Sequence, residues 1–490
     1  MLAALVAACA IGSSVPGALS DPLWSDEVAS ARIVSEQTIG EVLARIRRTE
    51  SAPPAWYVAA WSVSKADARI TGGRILEPVE RLRMLSVLFA AAASVLTALW
   101  ALRLLADRLL AALAGFLVAL GSVPAAYAEQ LRAYALLTLL AVTFGLLLVR
   151  VSSRFGAWTW LALALSTGIG MLTHYFFFFT VGAGLVWLWT SRPQPAGGRR
   201  ATLALVVGVL AFAPWLPGFV AQAQQGRYSW IGPFDAASVF TLPGSLFFGP
   251  EGTLYGIARI ALSAALVMGA VVLWRRPGGR AIVALGLLPI GGAAVIWAFG
   301  QPIFNERNML AITPYLAILV AASLLRLPKR LVTPIALTGL VAAVLGAAFA
   351  QLTLGRIAYD GVASGLVDLG WSETEPIAVD PPTGRTSLRV AVGWYLPGHT
   401  TLVRARGSRR ACPALFAIGH SNSLAPWLER NRGRLVDVRE FAAYDHPFRG
   451  RRDGRILVVR LRQPVHLPGG DVLYVRDHAT SCPPPRPAEP

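Results

Sequence analysis

Four short stretches of this sequence carry ionisable side chains in patterns that could do chemistry. "DPLWSDEVAS" sets Asp21, Asp26 and Glu27 beside Trp24. "YAEQLRAY" holds Glu129, Arg132 and Tyr134. "THYFFFF" holds His174 and Tyr175, and "FNERNML" holds Glu306 and Arg307. Carboxylates accept protons, arginines hold anions, and a histidine can donate or ligate. Each stretch also has a plain reading. Asp26 and Glu27 suit a solvated helix end, and Glu129 with Arg132 a local ion pair at a helix start. His174 suits an interfacial histidine beside packed phenylalanines, and Glu306 with Arg307 suits a membrane edge. What separates these readings is where the surrounding elements carry the four stretches.

Those elements are apolar. The chain has 490 residues, 55% of them hydrophobic and only 15% charged, with a mean hydropathy of +0.54. Soluble domains carry about 25% charged residues, so the composition points to an integral membrane protein. A bilayer crossing takes roughly 20 apolar residues. Eleven spans are expected, near 2–19, 82–104, 109–126, 133–150, 157–173, 174–190, 201–221, 255–274, 281–299, 308–325 and 332–352. The first is read as a retained helix. The net charge of +18 is a matter of topology rather than of nucleic acid. With the N-terminus inside, the cytoplasmic turns hold Arg103 and Arg108; Arg150 and Arg154; Arg192, Arg199 and Arg200; Arg275, Arg276 and Arg280; and Arg326, Lys329 and Arg330. Asp107 alone dilutes them. This is a positive-inside pattern, and an odd number of spans puts the C-terminus outside.

Two outer segments are long. In 20–81, Thr38 with Glu41 reads as a capping box opening a short helix through Arg48. "PPAWYVAAW" begins with prolines suited to a first helical turn. Its Trp56, Tyr57 and Trp61 suit the membrane interface, as Trp24 does. Residues 222–254 read as a second outer loop. From about 355 short apolar runs alternate with helical stretches, which predicts a small α/β domain with a largely parallel sheet. The divisions are 1–354 for the membrane domain, 355–478 for the α/β domain and 479–490 for a Pro-rich disordered tail. Cys412 and Cys482 could pair in that outer region; Cys9 lies in the first span. No internal repeat is visible.

On this topology all four ionisable stretches reach the outer membrane face, and no cytoplasmic turn gathers comparable acids. Ionisable groups within membranes are costly and usually functional. There is no Walker A loop, no GxGxxG after a strand, no HExxH and no GxSxG. An outward-facing enzyme without a nucleotide loop needs an activated substrate delivered by the membrane, and lipid-linked phosphosugars are such substrates.

"LWSDEVAS", "PPAWYVAAW", "RLRMLSVLFA", "YAEQLRAYALLTLL", "THYFFFF", "PWLPGFVAQAQQGRYSW" and "RNMLAITPYLAILVAAS", in this order and topology, resemble the GT-C fold membrane glycosyltransferases. The likeness is to the broad branch containing bacterial lipid-A sugar transferases and protein O-mannosyltransferases, over roughly residues 1–350. The resemblance implies an α-helical polytopic membrane protein of about eleven transmembrane helices with a C-terminal extracytoplasmic α/β domain. It implies inverting transfer of a hexosyl or pentosyl unit from a polyprenyl-phosphate sugar to an extracytoplasmic acceptor, in the cell membrane. Asp26 would be the catalytic base, Glu27 its orienting partner, and Glu129 a second acid that orients the acceptor or positions Arg132. Arg132, Arg307 and His174 would meet the donor phosphate. Tyr134, Tyr175, Tyr228 and Glu306 would contact substrate. Relatives often carry a His before the paired prolines, where this chain has Ala52, so a bound divalent metal is not expected.

Two other classes compete with this reading. A transporter or lipid flippase usually carries midplane polar sites on broken helices within repeats. A non-catalytic scaffold would use the outer domain to bind a partner.

Overall fold

A computed structural model describes residues 1–70, 78–154, 156–191, 195–226, 231–248, 253–353, 359–371, 377–380, 394–396, 415–419, 433, 435–442, 455–462 and 472–473. Arg192, Tyr228, Cys412, Cys482 and the tail from 479 lie outside these residues. The chain divides into two compact units. One holds Met1–Ser20 and Ser30–Thr353, the other Asp21–Ala29 and Leu354–Pro490.

The first unit is helical. Its elements are α1 (Leu2–Ser20), the second half of α2 (Ser25–Val34), α3 (Ile39–Thr49), α4 (Ala55–Ile70), α5 (Pro78–Leu105), α6 (Arg108–Leu120), α7 (Ser122–Ala128), α8 (Tyr134–Ser153), α9 (Ala157–Thr173), α10 (Phe177–Thr190), α11 (Pro195–Leu210), α12 (Leu216–Ala223), α13 (Ala236–Phe248), α14 (Thr253–Trp274), α15 (Gly279–Ala298), α16 (Thr313–Ser323) and α17 (Lys329–Thr353). A 3-10 helix, Glu306–Ile312, leads straight into α16. Among the described residues six helical stretches are long and apolar enough to cross a membrane, or seven if α6 and α7 form one crossing bent by 57°. The bend has a local cause. Pro124 has no N–H to offer the Leu120 carbonyl, so the helix cannot run through. Helices α9 and α10 are apolar but shorter, at 17 and 14 residues.

Small residues bring the helices close. Val6, Ala10, Ala98, Ala112 and Phe116 join α1, α5 and α6 in one apolar cluster. A methyl added to Gly115 would sit 2.8 Å from Ala98. Without a hydrophobic drive between lipid-bathed helices, such close backbone approach supplies the packing. Large apolar side chains face outward instead, with Trp158 83% and Ile260 75% exposed, as a hydrocarbon solvent permits.

The expected capping box is present. Thr38 accepts from the Glu41 N–H, and the Glu41 carboxylate accepts from the Thr38 N–H at 2.9 Å. Helix α4 begins directly after Pro53 and Pro54. Its aromatics differ from their expected place at the membrane interface. Trp56 and Tyr57 are buried within the protein, Trp56 against Phe89 of α5, and the Trp61 indole donates to the Glu36 carbonyl at 2.9 Å. The reason is the partner surface, because α4 packs on α5 and α9. Residues 222–254 also depart from the loop reading, since they contain α13. Asp235 caps it, accepting from the N–H groups of Ala237 and Ser238. Pro243 inside the helix and its length of 13 residues obscured it.

The second unit holds Asp21–Ala29 and, further on, α18 (Tyr359–Asp368) with strands β1 (Ile377–Asp380), β2 (Leu415–Gly419), β3 (Leu435–Ala442), β4 (Arg455–Leu461) and β5 (Val472–Leu473). The sheet order is β3-β4-β2-β1-β5. Among the described residues only β1 and β2 pair in parallel, Ile377 opposite Leu415; β1–β5, β2–β4 and β3–β4 are antiparallel. The sheet is therefore not largely parallel. Between β3 and β4 the chain reads "YDHPFRGRRDG", which has no apolar helical face to lay back over the sheet as a parallel crossover would. Helix α18 packs on this sheet, with Gly365 against the Phe441 ring. It ends at Gly370 in the left-handed region, φ 79°, and Arg460 donates to the Leu369 carbonyl at 2.7 Å. The Leu23 N–H donates to the Tyr395 hydroxyl.

Candidate active site

The turn between α7 and α8, Glu129 to Ala133, is built to present Arg132. Gln130 ties it down, its side-chain amide donating to the Ala126 carbonyl at 2.8 Å and its own carbonyl accepting from Ser86 at 2.7 Å. The Arg132 N–H closes the turn on the same Gln130 carbonyl. The side chain then crosses to the N-terminal helices. Arg132 Nη1 donates to Ser30 Oγ on α2, to Glu50 Oε2 just after α3 and to the Tyr57 oxygen on α4, each at 3.2 Å.

Two of these partners also bond to each other. The Tyr57 hydroxyl donates to Glu50 Oε2 at 2.9 Å while its oxygen receives Arg132. The side chains of Arg132 and Glu50 are 11% and 7% exposed, so solvent screens their attraction little. Burial pushes the Tyr57 hydroxyl well above the usual phenol range. Arg132 opposes that shift and Glu50 adds to it. The phenol therefore keeps its proton on Glu50.

Glu129 caps the C-terminus of α7. Its carboxylate lies over Gly17 of α1, and a Cβ at position 17 would overlap it. Tyr134, the first residue of α8, is buried and packs edge-on against Tyr127, ring centres 4.5 Å apart. On its other side stands His174, at 5.6 Å.

His174 closes α9, its N–H donating to the Gly170 carbonyl at 3.1 Å. Its Nδ1 accepts from the Phe176 N–H at 3.3 Å, which leaves the ring proton on Nε2. Burial, then the charges of Arg307 and Arg132, hold its pKa well below the usual imidazole range. His174 is thus held neutral, with an N–H to donate.

Arg307 enters on the 3-10 helix that Asn305 caps, the Asn305 side chain accepting from the Arg307 N–H at 3.2 Å. The preceding segment is pinned by Phe304, stacked on Trp297 at 5.0 Å and 5°. Glu306 is partly buried at the first position of this helix. The helix touches α7, α8 and α10.

The structure thus brings Arg132, Tyr134, His174 and Arg307 together. Tyr175 turns elsewhere. Its hydroxyl donates to Gln222 Oε1 and accepts from the Trp215 indole at 3.1 Å, and its ring packs on Phe219. Gln222 in turn donates to the carbonyls of Ile46 at 3.0 Å and Ala52 at 3.2 Å. It so fastens the His174 turn to the segment carrying Glu50.

Asp26 and Glu27 occupy the first turn of α2, in the part that groups with the second unit. Glu27 is fully buried and Asp26 half-buried. Ser30, which receives Arg132, belongs to the first unit. Among the described residues no three His, Cys, Asp or Glu side chains gather as a metal-binding group.

Sequence reasoning missed Glu50, Tyr57, Ser30 and Gln222. The one available signal was Glu50 itself, an acid after Arg47 and Arg48 at the mouth of the Pro53–Pro54 turn.

No family model matches this chain, and no curated protein matches it either. Solved structures do match by fold. ArnT from Cupriavidus metallidurans in the apo state superposes with a TM-score of 0.57 at 13% identity, over 93% of this chain and 97% of that one. The same protein bound to undecaprenyl phosphate gives 0.53 at 13%, over 94% and 97%. The chain has the fold of these membrane proteins, the GT-C fold that its sequence resembles.

Proposed function

We propose that this protein is a glycosyltransferase that moves a sugar from a polyprenyl-phosphate donor to an acceptor hydroxyl at the extracytoplasmic face of the membrane, with inversion. The observation that carries the reading is that Arg132 stands beside Tyr134, whose ring meets a buried His174, while the short helix carrying Arg307 packs on α7, α8 and α10. Two cations and an N–H donor in a sheltered place suit a phosphate whose negative charge grows as it leaves. A fold shared with a protein that binds undecaprenyl phosphate supports the donor class.

In this reading Arg132 and Arg307 hold the phosphate and His174 Nε2–H donates to it. Asp26 is the general base. It takes the proton of the acceptor hydroxyl as that oxygen bonds to the anomeric carbon, and the anomeric carbon–oxygen bond breaks with its electron pair going to the lipid phosphate. Glu27 orients Asp26, and Glu129 orients the acceptor. In this reading the basic turns face the cytoplasm and the N-terminus lies inside.

The test is sugar transfer by the purified protein from a panel of polyprenyl-phosphate sugars, wild type against Asp26→Asn. The variant is expected to express and fold normally and to lose transfer by at least about a hundredfold. Undiminished transfer would remove Asp26 from the role of base.

A further inference from the structure

The turn between α14 and α15, "WRRPGGR", is fixed by its own backbone. The Arg276 N–H donates to the Leu273 carbonyl at 3.0 Å, and the Gly279 N–H to the Arg276 carbonyl at 2.9 Å. Gly278 takes φ 75°, a conformation that favours glycine, and a Cβ at Gly279 would overlap the Leu273 carbonyl. The turn in its turn holds two guanidinium groups. Arg276 Nη1 donates to the Leu104 carbonyl, near the end of α5, at 2.6 Å. Arg280 Nε donates to the Trp274 carbonyl at 3.0 Å, and its guanidinium lies over the Trp274 ring, 5.3 Å from the centroid. Each bond uses one of the five N–H donors of its guanidinium. Arg275 and Arg103 are exposed close by in the chain. Among the described residues no carboxylate pairs with Arg103, Arg275, Arg276 or Arg280. An apolar stripe leads up to these cations. Ile260, Val267, Val271 and Trp274 of α14 are all more than half exposed, and their spacing of i, i+7, i+11 and i+14 puts them on one face of the helix. The stripe ends at the ring on which Arg280 rests.

We propose that the Trp274–Arg280 turn and the adjoining end of α5 form a binding site for an anionic phospholipid, with the headgroup phosphate on the arginines of the turn and the acyl chains along α14. A row of apolar side chains that ends in fixed cations has the polarity of such a lipid. Basic pockets between membrane helices take anionic headgroups, and each cation near the phosphate strengthens binding by about fivefold. The planar guanidinium fork matches phosphate oxygens in pairs. Trp274 suits the headgroup level, where tryptophan is enriched. A zwitterionic headgroup would set its ammonium against Arg103 and Arg275, so net negative charge is selected. The site uses none of the residues assigned to the donor phosphate and stands whether or not that assignment holds.

The experiment measures binding of dioleoyl phosphatidylglycerol and dioleoyl phosphatidylcholine to the full chain in uncharged detergent, for wild type, Arg280→Ala and Arg154→Ala, with inorganic phosphate as competitor. The wild type is expected to bind the phosphatidylglycerol at least about tenfold tighter than the phosphatidylcholine. Arg280→Ala is expected to lose about fivefold in affinity for phosphatidylglycerol and to keep its affinity for phosphatidylcholine. Arg154→Ala removes the same charge from another basic turn, where the side chain is exposed, and is expected to lose no more than about twofold. An equal loss in the two variants would mean diffuse attraction to a basic face and overturns the site. Equal affinity of the wild type for the two lipids overturns it without reference to any variant. Inorganic phosphate at the concentration of the lipid is expected to leave the lipid bound; displacement would make this a free-phosphate site and overturn the lipid assignment.

Discussion

Two sets of turns in the helical unit use charge in opposite ways. The turns that follow α5, α8, α14 and α16 carry Arg103, Arg108, Arg150, Arg154, Arg275, Arg280, Arg326, Lys329 and Arg330 out in the open. The one acid among them, Asp107, caps α6 by accepting from Leu109 and Leu110. These turns meet one another: Arg276 donates to the Leu104 carbonyl at 2.6 Å. The turns at 129–133, at 174–176 and before α16 carry few charges, but they are sheltered and locked to neighbours. A charge in water is interchangeable with others of its sign, whereas a sheltered charge is fixed by the particular atoms around it. The contrast separates residues that a positive-inside pattern would use for orientation from residues that the proposed transfer would use for chemistry.

The comparison can be broken most forcefully at Arg132. Arg132→Ala leaves Glu50 and Tyr57 sheltered without their cation, and about 3 kcal/mol of stability should go. Sugar transfer should fall at least about a hundredfold. Thermal unfolding in detergent and the transfer assay read the two effects. Gln222→Leu is the next test. It strips partners from Tyr175, Ile46 and Ala52 while leaving every charge in place, and about 2 kcal/mol is the expected loss. A fall in the turnover rate that exceeds any change in donor KM would show that it fastens the His174 turn to the Glu50 segment. The smallest effect belongs to the open set. Arg154→Ala should change stability by no more than about 0.5 kcal/mol and leave transfer unchanged; a large loss there would erase the distinction.

Much of the scaffold was legible because its signals are local. The apolar runs sit where helices form, and Thr38 with Glu41 announced a capping box within four residues of sequence. The four ionisable stretches were legible for a different reason, since charge stands out against a 55% hydrophobic background. Partners were not legible. Arg132 and Glu50 are 82 residues apart, and Gln222 reaches Ile46 across 176. No periodicity encodes such meetings. Tyr57 reads as an interfacial residue because an aromatic residue near a helix start looks the same whether headgroups or a buried carboxylate await it. The strand directions of the second unit failed likewise, since alternating short apolar runs and helical stretches suggest parallel pairing, whereas pairing depends on which edges meet.

Gly17 ties one helix to the reach of one acid. The space that any side chain at position 17 would need is taken by the carboxylate of Glu129. The two positions share a single volume, so bulk gained at one must be surrendered at the other. Glycine at 17 and glutamate at 129 are in that sense one inherited character, and a chain that shortened the acid to aspartate would have room for alanine on α1.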